Sequence, residues 1–293
     1  MKVAFYPGCT VQADQIGYEV SVRNTMPKLD VELIDMAGAS CCGYPPFSSV
    51  NEAAWYYSSA RNMALAEQMG LPMLILCNGC HLSFTETKHY LAKNPLMKAK
   101  IAEKLTREGL TYNGDLELIH IFELFHNKLS EEKIKHAVTK PLTGFKFGAH
   151  PGCHAIRPKK LIRPDDSENP TKLDELIKWL GAETMDYPGK IDCCGSSLAS
   201  ASGKTVMEIA GEKLKTVKDL GLDGLVTTCP FCFKVYDGRQ RAIQSTIGET
   251  SIEIPVFYYT QILGLAMGII PEFLGLDLNQ SPVDTVLTRL GGL

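Results

Sequence analysis

The chain has 293 residues, of which 45% are hydrophobic and 22% are charged, and its formal net charge at pH 7 is −3. This composition is typical of a folded globular protein, and the length suits two domains or one large pseudo-symmetric domain. A slightly acidic chain is a poor match for a protein that binds nucleic acid mainly through its phosphates, so we exclude that class.

The first half of the chain alternates short apolar segments with helical ones. Strands are predicted at residues 2–6, 31–35, 73–76 and 116–119, and helices at 51–69 and 121–129. Residues 73–76 form a continuous apolar run that ends at Cys77, as expected of a central parallel strand. The first strand likewise ends at a turn, Pro7-Gly8-Cys9, and Asn51 is a candidate N-cap for the helix that follows it.

The second half repeats this order of elements. Strands are predicted at residues 145–147 and 225–228, helices at 171–180 and 203–220, and residues 252–254 precede a final apolar helix. Strands that alternate with helices predict parallel sheets, and therefore an α/β fold of two pseudo-symmetric, doubly wound (Rossmann-like) halves. We place the boundary in the charged segment 127–141, which gives domains of residues 1–140 and 141–293.

The one long uncharged stretch, residues 254–271, is only about as long as the shortest membrane span. Because it contains Pro255, Gly264 and Gly268, we interpret it as a strand followed by a buried helix and expect no spanning segment. The N-terminus has no signal-peptide pattern. We therefore predict a cytoplasmic protein, in which ordered cysteines are more often metal ligands or catalysts than disulfides.

The ten cysteines fall into two copies of one pattern. Each copy has a single cysteine after Pro-Gly, then a Cys-Cys-Gly, then a C-x-x-C, with 34 residues between the vicinal pair and the C-x-x-C. The copies consist of Cys9, Cys41, Cys42, Cys77 and Cys80, and of Cys153, Cys193, Cys194, Cys229 and Cys232. This is an internal duplication. Since several of these cysteines directly follow predicted strands, they should converge at the carboxyl edge of the sheets, where open α/β folds bind ligands.

Four kinds of site compete for five cysteines in each half. Disulfides would leave one thiol unpaired, and a vicinal pair such as Cys41-Cys42 closes a strained ring. A thioredoxin-like exchange site would use only the C-x-x-C pairs, and a zinc ion takes four ligands, so both leave cysteines unexplained. An iron–sulfur cluster is favoured, because its several irons can be reached by adjacent cysteines and offset their charge. Five ligands exceed the four of a cubane, so the fifth must bridge two irons, serve a non-cubane cluster or be held in reserve.

The double pattern resembles the cysteine-rich CCG domain family, and the whole chain resembles the B-subunit family of heterodisulfide reductases from methanogenic archaea. Gly152-Cys153-His154 and Arg157-Pro158 are further matches to that family. The resemblance implies two non-cubane 4Fe-4S clusters, each held by the five cysteines of one half. It also implies that the mixed disulfide of coenzyme M and coenzyme B is reductively cleaved between the clusters, as a step of methanogenesis.

The same resemblance implies partner subunits. A ferredoxin-like C-subunit and a flavin-bearing A-subunit would deliver electrons, together with a hydrogenase or formate dehydrogenase module. The chain has no Gly-rich dinucleotide loop, so we expect any flavin or nicotinamide to bind elsewhere in such a complex.

The two copies differ by eight extra residues between Cys153 and Cys193. This insert carries the basic residues Arg157, Lys159, Lys160 and Arg163. The family's substrate carries a sulfonate, a phosphate and a carboxylate, so we predict that Arg157, Lys159 and Lys160 bind substrate. The alternative is a solvated loop or a docking surface for a partner subunit.

Two histidines directly follow cysteines of the pattern, His81 after Cys80 and His154 after Cys153. Either could donate a proton to a nascent thiolate or hydrogen-bond a cluster sulfur, although a lone histidine is more often structural. We predict a catalytic role for His154, which accompanies the basic insert, and a substrate-binding role for His81.

Two other functions fit the sequence. The CCG domain also occurs in electron-transfer subunits of complexes that oxidise the 2-hydroxyacids lactate or glycolate, where the clusters would carry electrons without binding a disulfide. A zinc-stabilised interaction module without redox chemistry belongs to a different class of protein.

Overall fold

The computed structural model describes residues 1–161 and 163–291. The strands are β1 Lys2–Tyr6, β2 Glu32–Asp35, β3 Met73–Ile75, β4 Leu118–His120, β5 Lys146–His150, β6 Glu183–Thr184, β7 Gly224–Thr227 and β8 Val256–Tyr258. The α-helices are α1 Cys9–Asp14, α2 Ile16–Thr25, α3 Pro46–Val50, α4 Glu52–Met69, α5 Asn78–Lys93, α6 Pro95–Thr106, α7 Ile121–Glu123, α8 Glu131–Ala137, α9 Cys153–Ile156, α10 Lys172–Trp179, α11 Gly203–Asp219, α12 Pro230–Tyr236, α13 Gln240–Ile247, α14 Tyr259–Ala266 and α15 Asp284–Arg289. A π-helical segment, Leu124–Lys128, continues α7, and short 3₁₀ helices cover Met26–Leu29, Ser196–Leu198, Pro271–Leu274 and Leu276–Leu278.

The strands form two parallel sheets with the same topology. One sheet has the order β2-β1-β3-β4 and the other the order β6-β5-β7-β8. In each sheet the second strand lies on one side of the first, and the third and fourth strands lie on the other side. The topological switch point is therefore between β1 and β3 in one half and between β5 and β7 in the other. The predicted α/β fold of two pseudo-symmetric halves is confirmed.

Most predicted elements match observed ones. The helix predicted at 51–69 is α4, and the Asn51 side chain caps it by accepting a hydrogen bond from the backbone N–H of Ala54 at 3.0 Å. The apolar stretch 254–271 contains β8 and the buried helix α14. Among the residues that the structure describes, no helix combines the length and the apolar character needed to cross a membrane. The boundary predicted within 127–141 contains α8, and its position stays a prediction.

Helices α5, α6, α12 and α13 are absent from the sequence-based assignment. The first two turns of α5 are buried on almost every side, so no amphipathic period marks its beginning. Helices α5 and α12 also begin inside a C-x-x-C motif, which the sequence analysis treated as a ligand site rather than as the first turn of a helix.

A shared hydrophobic core joins the two halves. On β1, Val3 and Phe5 point into a cluster that also contains Phe147 of the second sheet. The alternate residues Ala4 and Tyr6 point to a separate cluster under the first half. This alternation follows from the two faces of a strand, and it means that one face of the first sheet belongs to the core that continues into the second half.

Helix α2 fastens the first half to the second. The Tyr18 hydroxyl donates to the carbonyl oxygen of Thr228 at 3.0 Å, and the hydroxyls of Ser21 and Thr260 lie 2.6 Å apart, with Thr260 on α14. Gly17 of α2 lies against the backbone of Gly275. These contacts are buried, so the relative position of the halves is fixed by close packing rather than by a flexible linker.

Replacement of Gly17 by alanine tests this packing. A Cβ at Gly17 would lie 2.8 Å from the carbonyl oxygen of Gly275, and a backbone atom cannot rotate away as a side chain can. We expect Gly17→Ala to lower the free energy of unfolding by about 1–3 kcal/mol, measured by urea unfolding followed by circular dichroism. The control Gly203→Ala meets no atom within 4 Å in the first turn of α11 and should leave stability unchanged or slightly raised. Equal behaviour of the two variants would contradict the contact.

Candidate functional site

The ten cysteines lie at the carboxyl edges of the two sheets. Cys9 and Cys77 follow β1 and β3, and Cys153 and Cys229 follow β5 and β7, so each pair flanks the switch point of its sheet. The vicinal pairs come after β2 and β6, on the loops that return from the neighbouring strand. The fold therefore brings each set of five together in the crevice where open α/β sheets bind ligands.

In the first set the sulfur atoms meet in pairs. The Sγ atoms of Cys9 and Cys41 are 3.4 Å apart, and those of Cys42 and Cys80 are also 3.4 Å apart. The backbone N–H of Gly43 donates to the Cys41 sulfur at 3.3 Å. Cys9 and Cys41 are exposed, whereas Cys42 and Cys80 are buried.

The second set repeats this arrangement. The Sγ atoms of Cys153 and Cys193 are 3.7 Å apart, and the backbone N–H of Gly195 donates to the Cys193 sulfur at 3.3 Å. Cys194 and Cys232 are buried. In the described ranges of the chain, no three Cys, His, Asp or Glu side chains surround one point as the ligands of a single metal ion would. The sulfur atoms are thus spread over a set of neighbouring pairs.

The two C-x-x-C motifs begin close to each other, because the Tyr18 hydroxyl lies within 3.4 Å of the carbonyls of both Leu76 and Thr228, which precede Cys77 and Cys229. Interaction with the Cys229 thiol, followed by burial, raises the pKa of Cys77 well above its ordinary value. Phe231, which lies inside the second C-x-x-C, packs against the hydrophobic clusters of both halves. The two halves therefore present one combined cysteine region.

Glycine residues make room for this region. Gly8 and Gly152 precede the first cysteine of each set and have φ angles of 87° and 79°, which favour glycine. A Cβ on Gly8 would lie 3.2 Å from the sulfur of Cys80, and one on Gly152 would lie 3.5 Å from the sulfur of Cys232. The repeated Pro-Gly-Cys therefore lets the backbone approach the sulfur atoms closely.

The protonation of the thiols shows what kind of group suits them. Hydrogen bonds from Cys153 and Cys194 lower the pKa of Cys193 to about 2. The same two contacts raise the pKa of Cys194 to about 12 and raise the pKa of Cys153 well above its ordinary value. One thiolate is thus stabilised at the expense of its neighbours. Full ionisation of five crowded thiols requires positive charge among them, which a group containing several metal ions supplies.

A cavity of about 330 Å³, within the range of small-molecule sites, is lined by all five cysteines of the second set and by Cys9 and Cys41 of the first. Its walls come from both halves and include Cys9, Cys41, Tyr44, Pro45, Pro46, Asn78, Cys153, His154, Cys193, Cys194, Cys229, Phe231 and Cys232. Two other cavities of about 420 Å³ and 630 Å³, beside Asp14 and Lys2, contain no cysteine, and one of about 460 Å³ beside Cys9 and Cys41 is lined by the first half alone. The candidate site is therefore identified by the cysteines of both halves in the cavity wall and not by the volume of the cavity.

The predicted residue His154 lines this cavity together with Tyr44 of the other half. The Tyr44 hydroxyl and His154 Nε2 are hydrogen-bonded at 3.1 Å, and the two rings meet edge to face with centroids 5.1 Å apart. Burial lowers the pKa of His154 and raises that of Tyr44 to about 12, so both are neutral at pH 7. Sequence reasoning did not select Tyr44, although it follows the first Cys-Cys-Gly directly.

His81 is buried and does not line the cavity. A guanidinium nitrogen of Arg163 donates to His81 Nδ1 at 2.8 Å and to the backbone carbonyl of His154 at 2.9 Å. His81 Nε2 lies 3.6 Å from a carboxylate oxygen of Glu123. The residues that follow Cys80 and Cys153 are therefore linked through Arg163. The substrate-binding role of His81 stays a prediction.

The other predicted substrate residues lie outside the cavity lining. Arg157 is exposed and donates to the carbonyl of Ile191 at 3.2 Å, and Lys159 is exposed and lies 3.3 Å from Glu168. Lys160 is exposed as well. Their role in substrate binding also stays a prediction.

Comparison with known proteins places the chain in context. The model of the family described as "Cysteine-rich domain" (CCG) matches residues 3–85 and 147–235. The chain is 37% identical to the B-subunit of the "Ferredoxin/F(420)H(2)-dependent CoB-CoM heterodisulfide reductase" of Methanosarcina acetivorans, over 95% of this chain and 93% of that protein. It is 32% identical to a protein of Archaeoglobus profundus described as like the B-subunit of heterodisulfide reductase, over 99% and 98% of the two chains.

Another relative has a different activity in its name. The chain is 32% identical to the "8-methylmenaquinol:fumarate reductase membrane anchor subunit" of Wolinella succinogenes, over 99% of each chain. Among solved structures, a hypothetical protein from Helicobacter pylori superposes with a TM-score of 0.76 at 16% identity. The match covers 96% of this chain and 52% of that one, and at this identity it supports the fold alone.

Asn78 lies inside the first C-x-x-C and lines the cavity. Its substitution tests the contact between the two halves. Its side-chain amide donates to the carbonyl of Pro151 at 2.7 Å, and the residue is buried. We expect Asn78→Ala to lower the free energy of unfolding by about 1–3 kcal/mol, because the buried carbonyl loses its partner. The control Asn24→Ala removes a half-buried bond within α2 and should change stability by about 0.5 kcal/mol or less. Denaturant unfolding measures both, and equal losses would argue against the interface contact.

Proposed function

The chain belongs to the cysteine-rich CCG domain family, in the group of heterodisulfide reductase B-subunits, and from this premise we propose that it is the catalytic subunit of a CoB–CoM heterodisulfide reductase. Its reaction would be the reductive cleavage of the mixed disulfide of coenzyme M and coenzyme B in methanogenesis. The observation that supports this most directly is a cavity whose walls contain the whole second cysteine set together with Cys9 and Cys41 of the first.

Each cysteine set would hold one non-cubane 4Fe-4S cluster. Cys9, Cys41, Cys42, Cys77 and Cys80 are the proposed ligands in the first half, and Cys153, Cys193, Cys194, Cys229 and Cys232 those in the second. The paired sulfur atoms, the glycines beside them and the need for positive charge among the thiols all suit such a group. When bound, an iron–sulfur cluster supplies electrons one at a time and iron atoms with an affinity for sulfur.

The stoichiometry of the reaction matches the duplication. Conversion of one disulfide to two thiols breaks one S–S bond and consumes two electrons and two protons. A protein with one electron-carrying site on each side of the cavity can deliver the two electrons to the two sulfur atoms. The electrons would come from partner subunits: a ferredoxin-like C-subunit and a flavin-bearing A-subunit, with a hydrogenase or formate dehydrogenase module as their source. A cytoplasmic location stays a prediction.

The residues of the cavity wall would act on the substrate itself. One member of the pair His154 and Tyr44 donates to the other, and the pair would present one remaining donor beside Cys153, where negative charge develops as the S–S bond breaks. A fixed donor at that position stabilises the developing thiolate, because it needs no reorganisation during the reaction. Pro45, Pro46 and Phe231 supply an apolar wall that excludes water from the sulfur atoms.

A second candidate function follows from the Wolinella succinogenes relative. A chain of this family could pass electrons within a fumarate reductase complex without binding a disulfide. The cavity between the cysteine sets favours the disulfide reaction. Reduction of the mixed disulfide with an artificial electron donor separates the two functions, since a pure electron carrier would show no turnover.

Removal of one cysteine from each set tests the paired role. We expect Cys42→Ala and Cys194→Ala each to lose about half of the iron and acid-labile sulfide of the anaerobically purified protein. Both should lose disulfide reduction completely, because one remaining site delivers only one electron to one side of the cavity. Iron analysis and a disulfide-reduction assay measure the two effects. Disulfide turnover by either half-loaded variant would contradict the mechanism in which both cysteine sets act together.

Substitution of His154 tests the cavity wall. We expect His154→Gln to lower kcat by about 10²-fold, while the iron content stays at the wild-type level. Tyr44→Phe should lower kcat less, since the imidazole remains. The control Lys159→Glu changes an exposed residue outside the cavity lining and should leave kcat unchanged. A raised KM in that control would support the predicted role of Lys159 in substrate binding, and an unchanged kcat in His154→Gln would remove His154 from the reaction.

A further inference from the structure

The two cysteine sets have unequal surroundings at positions that the duplication makes equivalent. Three residues before the first cysteine stands Tyr6 in the first half and His150 in the second. Four residues after the last cysteine stands Phe84 in the first half and Tyr236 in the second. Each pair of rings packs edge to face, with centroids 5.0 Å apart at 80° in the first half and 5.1 Å apart at 84° in the second. The geometry is the same in the two halves, but the chemistry is not.

A third position differs in charge. Asn62 and Lys213 are each the eleventh residue after the N-cap of the equivalent helices α4 and α11. Both donate to the carbonyl of the residue before the vicinal cysteines, Asn62 to Ser40 at 3.0 Å and Lys213 to Asp192 at 2.8 Å. The second half thus has a buried ammonium group where the first half has a neutral amide.

The charge of Lys213 has no carboxylate in hydrogen-bond contact within the described part of the chain. Its ammonium group donates to Nδ1 of His150 at 2.9 Å and to the carbonyls of Lys190 and Asp192. Burial lowers the pKa of Lys213 to about 8, and the nearby Cys232 thiol, the Asp192 carboxylate and the Cys194 thiol oppose that shift, so the group stays largely protonated at pH 7. A buried cation of this kind favours an anionic neighbour, and the second cysteine set is the adjacent candidate.

Two hydrogen-bond donors beside this cation have no acceptor. Because Nδ1 of His150 accepts from the ammonium, the ring carries its hydrogen on Nε2. In the described residues neither Nε2 of His150 nor the hydroxyl of Tyr236 has a partner, and both side chains are completely buried. In the first half the Tyr6 hydroxyl is satisfied by the carbonyl of Ser40 at 2.7 Å. Buried donors are almost always paired, so these two await an acceptor that the protein chain itself does not provide.

We propose, as a consequence that rests on the proposed function, that Lys213, His150 and Tyr236 give the iron–sulfur group of the second cysteine set a higher reduction potential than that of the first set. Reduction adds negative charge, and a cation together with N–H and O–H donors stabilises the reduced form. Arg163 does not create this difference, because it contacts the residues that follow Cys80 and Cys153 and acts on both sets. An electron that enters the protein would therefore come to rest at the second set.

Redox titration of the full-length, anaerobically loaded protein, monitored by electron paramagnetic resonance, tests the proposal. Tyr236→Phe introduces the residue type that the first half uses, and Lys213→Met removes the charge at similar length. We expect each to shift one centre to a lower potential and leave the other unchanged, whereas Lys213→Arg should retain the wild-type potential. In a Cys42→Ala background, where the second set alone would be loaded, the shifts should persist.

The matched control is Tyr6→Phe, whose hydroxyl already has an acceptor in the chain, and it should leave both potentials unchanged. A second readout is resonance Raman spectroscopy in H₂O and D₂O: the deuterium shift of the iron–sulfur stretches of the second centre should diminish in Tyr236→Phe. If Lys213→Met fails to take up iron, Tyr236→Phe decides, because it removes a single oxygen atom. Fully loaded variants with unmoved potentials, or equal shifts at both centres, would overturn the proposal.

Disulfide turnover, measured on the same preparations, distinguishes a failure of the proposed function from a failure of the proposed difference in reduction potential. Unequal centres without turnover would refute the proposed function and leave the electrostatic difference in place. Turnover by a wild-type protein with equal centres would refute only the inference about Lys213, His150 and Tyr236.

Discussion

The electrostatic cost of gathering ten sulfur atoms at one edge of a folded protein governs the rest of this structure. Crowded thiols cannot all ionise, since each thiolate raises the pKa of its neighbours, as the opposite shifts of Cys193 and Cys194 show. Only a group that carries several positive charges allows full ionisation, and this requirement agrees with membership of a cysteine-rich family whose relatives include reductase subunits. The glycines beside the cysteines leave space for such a group, and the buried donors of the second half would offer it hydrogen bonds.

The duplication explains how a chain of this size builds such a region. A parallel α/β half offers one switch point, and each half places its own five cysteines there. Helix α2 then packs against α14 of the other half, and the contact of Asn78 with Pro151 joins the cysteine loops directly. Because these contacts are buried, the cavity between the sets has walls of fixed position, which suits a reaction that needs two groups to reach one bond from opposite sides.

The sequence predicts the strands, the helices and the two cysteine sets well, but it does not predict which other side chains surround them, and the reason is physical. The apolar runs that end at Cys77 and Cys229, the Asn51 cap and the cysteine duplication are local signals, and the structure contains the elements that they predict. The hydrogen bond between Tyr44 and His154 joins residues 110 positions apart and depends on how the halves pack, which no local pattern encodes. Lys213 has the spacing of an ordinary residue on an amphipathic helix, so only the folded chain shows that its ammonium group is buried.

The departures from symmetry carry more information about function than the symmetry does. Equal halves would hold two equivalent sites, whereas the mixed disulfide that we propose as substrate has two different ends. The first half keeps Tyr6, Asn62 and Phe84 as neutral residues, with the polar groups of Tyr6 and Asn62 satisfied by the loop around Ser40. The second half has a histidine, a lysine and a tyrosine in their place, and the histidine and the tyrosine retain the ring packing of Tyr6 and Phe84. At these three positions the duplicated fold therefore places a different charge and different hydrogen-bond donors in the same packing arrangement.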